Sequence, residues 1–242
     1  MVIIAKNQFS FSRSFLLLAR PLIYHSALGR PILASRRDKS SVCLLAREIH
    51  HMNAFLVSLL IVALSEMGDK TQLLTLLLAA RFRKPVPILI AIFLATVVNH
   101  GVSAILGQWI TTVLSPDVLL WIVALGFIGM SIWMLIPDKL DDESGSINRW
   151  QKYGVFGATF VLFFLAEIGD KTQIATIALA ARFDSVMWVT LGTTIGIMLV
   201  NAPAVFIGNK MAEKLPISLI HKIGAAVFFI MGVGALVQHY FF

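Results

Sequence analysis

One charged heptapeptide occurs twice in this chain, each time inside a stretch otherwise apolar enough to cross a bilayer. Glu66-Met67-Gly68-Asp69-Lys70-Thr71-Gln72 returns 101 residues later as Glu167-Ile168-Gly169-Asp170-Lys171-Thr172-Gln173. The likeness runs on to Phe82 and Phe183, with twelve of seventeen positions identical. An ionised residue in the middle of a membrane helix costs about 2.5–3.5 kcal/mol on insertion scales, and such residues mark ion or proton pathways. Carrying a Glu, an Asp and a Lys there twice, symmetrically, points to a transport site.

Composition sets the class. The chain of 242 residues is 58% hydrophobic and 14% charged, with a mean hydropathy of +0.84. A soluble domain has no use for so many uninterrupted apolar runs, so the expected fold is an all-α polytopic membrane protein. A β-barrel is excluded because its wall needs an alternation of apolar and polar residues that these runs lack. The one cysteine, Cys43, lies outside the apolar region, which removes disulfides and thiolate metal sites. The net charge of +7 is not a nucleic-acid footprint. Residues 1–51 hold eight Lys/Arg against two acids (+6), and residues 52–242 hold twelve against eleven (+1). The basic character belongs to the tail, and nucleic acid is not an expected partner.

Six apolar segments can be drawn, over 54–80, 86–110, 118–137, 153–181, 186–208 and 217–239. The connections carry the turn and charge signals, among them Arg83-Lys84-Pro85, Ser115-Pro116-Asp117, Asp184-Ser185 and Lys214-Leu215-Pro216. The expected organisation is a basic tail (1–51), a first three-helix repeat (52–137), an acidic cytoplasmic linker (138–152) and a second three-helix repeat (153–242). The tail admits three readings: a transit-type targeting segment, a disordered basic arm, or sequence upstream of the true start at Met52, which opens directly into the first apolar helix. Placing the loops after helices one, three and five in the cytoplasm gathers Arg81, Arg83, Lys84, Lys139, Arg149, Lys152, Lys210, Lys214 and Lys222 on that side, and leaves Arg182 on the other if the tail is left out. Halves with an odd number of helices insert in opposite orientations. The six transmembrane helices are therefore expected to form two inverted three-helix repeats, with a binding site at the midplane.

The motif residues then acquire candidate roles. About twelve residues precede Glu66 in its segment, roughly 18 Å of helix, which sets its carboxylate near the centre of a core about 30 Å thick. Glu66 and Asp69, like Glu167 and Asp170, are spaced to share a helix face. Gly68 and Gly169 allow close approach or local unwinding. Four carboxylates with the neutral oxygens of Thr71, Gln72, Thr172 and Gln173 suit a hard divalent cation: Ca²⁺, Mn²⁺ or Mg²⁺. Asn99 and Asn201, 33 and 34 residues after their motif Glu, either complete the site or serve as polar glue between helices. His100 is the nearest intramembrane histidine and has no evident symmetric partner. Lys70 and Lys171, four residues after their Glu, are placed for an intrahelical ion pair that holds the empty site together. Gly192 and Gly196 form a small-residue face expected to serve packing.

At Glu66-Met67-Gly68-Asp69-Lys70-Thr71 and its second copy the chain resembles the E-x-G-D-K-[ST] cation/proton exchangers, a family long catalogued as an uncharacterised UPF group. The resemblance covers residues 52–242. It implies a six- or seven-helix exchanger similar to the Golgi manganese and calcium transporters of eukaryotes and the manganese exporters of bacteria. It also implies that Glu66, Asp69, Glu167 and Asp170 are the cation ligands. The compact core and short central loop resemble a bacterial member, which implies the inner membrane.

The expected function is therefore secondary active export of a divalent cation, Mn²⁺ or else Ca²⁺, against protons, with the bilayer as the other partner and no resident cofactor. Neighbouring buried carboxylates cannot all stay ionised without a counter-charge, so one divalent cation and two protons are natural alternatives in one site. Two other readings remain. A small-organic-solute exporter would need an apolar pocket and fewer paired acids. An intramembrane metal-dependent hydrolase would need a nucleophile or an open metal site, and no His-Glu-x-x-His or Gly-x-Ser-x-Gly pattern occurs. The charge asymmetry gives a first prediction: reporter fusions within 138–152 should report the cytoplasm, and a chain begun at Met52 should transport fully. An external reporter signal there, or an inactive shortened chain, would refute it.

Overall fold

A computed structural model describes residues 36–136, 147, 149–207 and 217–241. Residues 1–35 of the basic tail, most of the acidic linker with Lys139, and the 208–216 connection with Lys210 and Lys214 lie outside the described residues. All regular structure within them is helical. The elements are α1 (Arg36–Glu66), α2 (Lys70–Phe82), α3 (Pro85–Val113), α4 (Pro116–Trp133), α5 (Gly154–Glu167), α6 (Lys171–Phe183), α7 (Val186–Ile207) and α8 (Ile217–Phe241), with a 3₁₀ turn over Gln151–Tyr153. Pro85 and Pro116 open their helices, where the missing N–H is no loss. Arg83 and Asp184 end α2 and α6 in left-handed conformation, at φ 52° and 47°.

Five helices are long and apolar enough to span a bilayer: Leu44–Glu66, Pro85–Val113, Pro116–Trp133, Val186–Phe206 and Ser218–Val237. The pair α5–α6, whose pieces diverge by 67°, makes a sixth if the two are counted as one broken span. The expected continuous helices over 54–80 and 153–181 are thus each broken at the motif. The cause is local: Gly68 and Gly169 stand at φ 81° and 76°, where no α-helix can continue. Helix α1 begins earlier than the apolar segment, at Arg36, and passes through Met52 without interruption.

Small residues set the close contacts. A Cβ on Gly192 of α7 would collide with the Phe55 carbonyl oxygen of α1, and one on Gly196 would lie 2.7 Å from that of Leu59. The expected packing face is therefore used, at backbone-to-backbone distance. Gly107 does the same for α3 against Ile177 of α6. Helices α4 and α8 pack through Phe127 and Phe228, whose ring centres are 6.0 Å apart. Helix α3 lies against α5, α6 and α7 and forms the wall beside the second motif. Large apolar side chains such as Trp109, Val113, Phe206 and Ile230 remain exposed on the outside, as expected of a surface that meets lipid.

Two contacts tie the ends of the halves together. His50 Nε2 donates to the Phe183 carbonyl at the end of α6 (2.9 Å), and Arg81 near the end of α2 donates to Gln151 Oε1 (3.3 Å). His51 also stacks on Trp188, at 5.5 Å between ring centres. The last residues before Met52 therefore pack on the second half.

Overpacking a tight contact costs about 1–3 kcal/mol. Gly192→Ala should accordingly lower the melting temperature in detergent, because α1 and α7 must separate. Gly126→Ala should not, since a Cβ there meets nothing within 4 Å. Equal melting of the two variants would contradict the packing described.

Candidate functional site

Each motif residue has a distinct task in breaking and rejoining its helix. Glu66 ends α1, and Asp69 N-caps α2, its carboxylate accepting from the Thr71 N–H (3.5 Å). Gln72 reaches back so that Oε1 accepts from the Gly68 N–H (2.8 Å), which the helix break leaves without an intrahelical partner. The Thr71 hydroxyl donates to Glu66 Oε2 (2.5 Å) and fastens the new helix to the end of the old one. The second motif repeats the arrangement: Thr172 N–H to Asp170 Oδ2 at 3.4 Å, Gly169 N–H to Gln173 Oε1 at 2.7 Å, and Thr172 hydroxyl to Glu167 Oε2 at 2.9 Å. Because the helix breaks between them, Glu and Asp do not share the face of one helix. The loop turns both carboxylates toward one place instead.

The two motifs meet. Carboxylate oxygens of Glu66, Glu167 and Asp170 all lie within 4.8 Å of one another, and all three residues are buried. Asp69 is also buried but takes a different partner, Lys171 Nζ at 3.3 Å. Lys70 Nζ lies 3.1 Å from Asp170 Oδ1. The expected ion pairs within one helix are thus replaced by reciprocal pairs across the halves, since the break swings each lysine away from its own Glu. The two pairs differ in setting: the Lys70 side chain is 34% exposed and that of Lys171 only 1%.

Neighbouring helices complete the surroundings. Gln173 Nε2 donates to Asn99 Oδ1 (2.6 Å), so Asn99 is joined to the second motif through the Gln that caps the break. Asn201 Nδ2 donates to the Ile197 carbonyl within α7 (3.1 Å), and its buried Oδ1 has no hydrogen-bond partner among the described residues. His100 is fully buried, with Nε2 3.6 Å from Glu167 Oε2. It does have a counterpart. The offset that relates the two motifs, 101 residues, also relates Pro85 to Val186 at the starts of α3 and α7, and His100 to Asn201. Carrying that register past the motif would have found it. His221 of α8 is a further contact that no motif announced: its Nε2 donates to the Met67 carbonyl (2.8 Å), freed by the first break.

Chemically, this is an oxygen-rich cluster in which Glu66 Oε1 and Glu167 Oε1 have no hydrogen-bond partner among the described residues. Buried carboxylate oxygens left in that condition suit a hard cation or a proton.

The family described as divalent cation/proton antiporter GDT1 matches residues 54–142 and 155–241, nearly the whole of the described helices. A Vibrio cholerae protein named for manganese export is 51% identical over 185 residues, covering 76% of this chain and 90% of that protein. GDT1-like protein 3 of Oryza sativa is 29% identical over 213 residues (78% and 74%). A GDT1-like protein of Synechocystis is 28% identical over 199 residues (75% and 96%). No solved structure matches this chain.

Removing one partner of a buried ion pair costs about 3–5 kcal/mol, because the other charge is left uncompensated. A solvent-screened pair is worth roughly 0–1 kcal/mol. Lys171→Met should therefore depress the melting temperature far more than Lys70→Met, and adding Asp69→Asn to Lys171→Met should recover part of the loss. Similar shifts for the two lysine variants would show that the pairs are equally buried.

Proposed function

Because the chain belongs to the divalent cation/proton antiporter GDT1 family, we propose that it exports Mn²⁺, with Ca²⁺ as the second candidate, in exchange for protons at the paired acidic motifs. The chain is a multi-pass bacterial membrane protein and a cation transporter. The hydrolase and organic-solute readings lose their basis with that family. One observation carries the finer proposal: carboxylate oxygens contributed by both motifs converge within 4.8 Å at buried positions.

Charge bookkeeping gives the exchange its form. Glu66, Asp69, Glu167 and Asp170 bring four negative charges, Lys70 and Lys171 bring two positive ones, and the difference is −2. Such an excess is not sustained in a medium where two unit charges 4 Å apart interact by about 4 kcal/mol even at an effective dielectric of 20. Either one divalent cation or two protons cancels it. The site is then neutral in both loaded forms, and neither leaves a bare carboxylate in the membrane. That equivalence is what makes the two cargoes exchange rather than flow together. Electroneutral exchange of one cation for two protons follows.

The two halves are proposed to be inverted repeats. The end contacts support this: His50 and Gln151 are related by the repeat offset, and each meets the end of the other half's motif helix. Inversion lets one half rock against the other and open a fixed central site to either side in turn. The reciprocal lysine–aspartate pairs lie across the surface that such rocking would shear. On this reading Lys70 and Lys171 position the aspartates, while Glu66, Glu167 and Asp170 hold the cation. Mn²⁺ is favoured over Ca²⁺ by the function for which the Vibrio cholerae relative is named.

In proteoliposomes, an imposed pH gradient should drive Mn²⁺ or Ca²⁺ uphill, and a potassium diffusion potential without a pH gradient should not. Glu66→Gln and Glu167→Gln should each reduce cation uptake and coupled proton movement together, by at least tenfold. Cation flux driven by the potential and indifferent to pH would identify a uniporter and end the exchanger proposal.

A further inference from the structure

We propose that His100 is a nitrogen ligand of the transported cation, set at the Glu167 side of the site, where it shifts selectivity away from Ca²⁺ and Mg²⁺ and toward Mn²⁺. The proposal rests on the cation-exchange reading above.

The argument starts from the tautomer. His100 Nδ1 lies 3.3 Å from the Thr176 hydroxyl, and that hydroxyl lies 2.7 Å from the Thr172 carbonyl oxygen one turn back in α6. The carbonyl can only accept, so the Thr176 proton is committed to it. What the hydroxyl offers His100 is a lone pair, and Nδ1 must therefore carry the ring proton. Nε2 is left with its own lone pair. It is buried, has no hydrogen-bond partner among the described residues, and lies 3.6 Å from Glu167 Oε2. A ring nitrogen fixed by a hydrogen bond on its far side, with the near one bare, is the usual arrangement of a metal-binding histidine.

The spacing to Glu167 also fits. Ligand atoms about 2.1–2.3 Å from one ion stand roughly 3 Å apart at right angles and about 4.4 Å apart across it. The separation of 3.6 Å from Glu167 Oε2 falls between those limits. A merely structural core histidine would be expected to use both nitrogens in hydrogen bonds, since a buried unpaired polar atom costs about 1–3 kcal/mol.

Repeat register sharpens the point. The position equivalent to His100 in the second half is Asn201, whose buried Oδ1 is also without a hydrogen-bond partner among the described residues. One half presents nitrogen where the other presents an amide oxygen. Ca²⁺ and Mg²⁺ take oxygen ligands, whereas first-row transition ions accept imidazole readily. A single nitrogen among carboxylates thus disfavours the alkaline-earth ions. Mn²⁺ is the first-row ion most at home with the remaining oxygens.

Mn²⁺ itself is the probe. Purified wild-type protein given less than one equivalent of Mn²⁺ should show ¹⁴N modulation from a coordinated imidazole in pulsed electron paramagnetic resonance. His100→Asn, which installs the residue of the other half, should bind Mn²⁺ without that modulation. It should also need about tenfold less Ca²⁺ to halve Mn²⁺ uptake in proteoliposomes. If His100→Asn does not fold or hold Mn²⁺, wild-type protein labelled with ¹⁵N-histidine carries the test, because the coupling must change to the ¹⁵N pattern. His50, His51 and His221 face other partners. Bound Mn²⁺ without nitrogen coupling, or an unchanged Ca²⁺ requirement in an active His100→Asn, would overturn the ligand assignment and leave the exchanger standing. Wild-type protein that neither binds nor moves any divalent cation would overturn the exchanger itself.

Discussion

Each half of this protein lays a lysine on the aspartate of the other, and the rest of the site is arranged around that exchange. Lys171 on Asp69 and Lys70 on Asp170 neutralise two of the four carboxylates that the motifs bring out of water. Without them, four like charges would meet in a poorly polarisable interior, and no packing of Leu and Ile side chains could hold the halves together. With them, the remaining excess is small enough for one divalent ion or two protons to cancel. On the proposed reading, cohesion of the halves and capacity for cargo have one origin.

The exchange of partners depends on a backbone event. Two glycines at positive φ stop their helices just after a glutamate, and an aspartate three residues after that glutamate caps the next helix. Threonine and glutamine then tie the two pieces across the gap. The motif is a compact prescription for a broken helix whose two pieces are joined by side-chain hydrogen bonds. Irregular backbone is tolerated at membrane depth only where protein covers it, and here α8 supplies His221 to the Met67 carbonyl. The second break is more open, with Gly169 exposed, so the two motifs are alike in conformation and unlike in surroundings. Family membership supplies the chemistry at large, cation transport, and on the proposed reading the geometry supplies a reason why a divalent cation and protons would be interchangeable.

Much was written in the sequence. Apolar runs of some twenty residues dictate helices across a bilayer, because no other open structure satisfies its backbone there. The 101-residue repeat announced two like halves, and the charged residues within it announced the site. Glu66, Glu167 and Asp170 do converge, and Gly192 and Gly196 do serve close packing. These are short-range or compositional facts, legible because each is fixed by a residue's own chemistry and its neighbours in the chain.

Partner choice was decided elsewhere. Spacing of four residues made Glu66 and Lys70 look like an intrahelical pair, a geometry that exists only if the helix continues; the break at Gly68 removes it, and Asp170 becomes the partner. Asp69 is set apart from the other three acids by Lys171, a residue 102 positions away. The contact of His100 with Thr176 depends on how closely α3 lies along α6, which Gly107 permits by leaving no side chain in the gap. Such contacts join residues far apart in the chain through the packing of whole helices. The sequence by itself determined which charges would have to be satisfied out of water, and only the tertiary structure decided which group satisfies which.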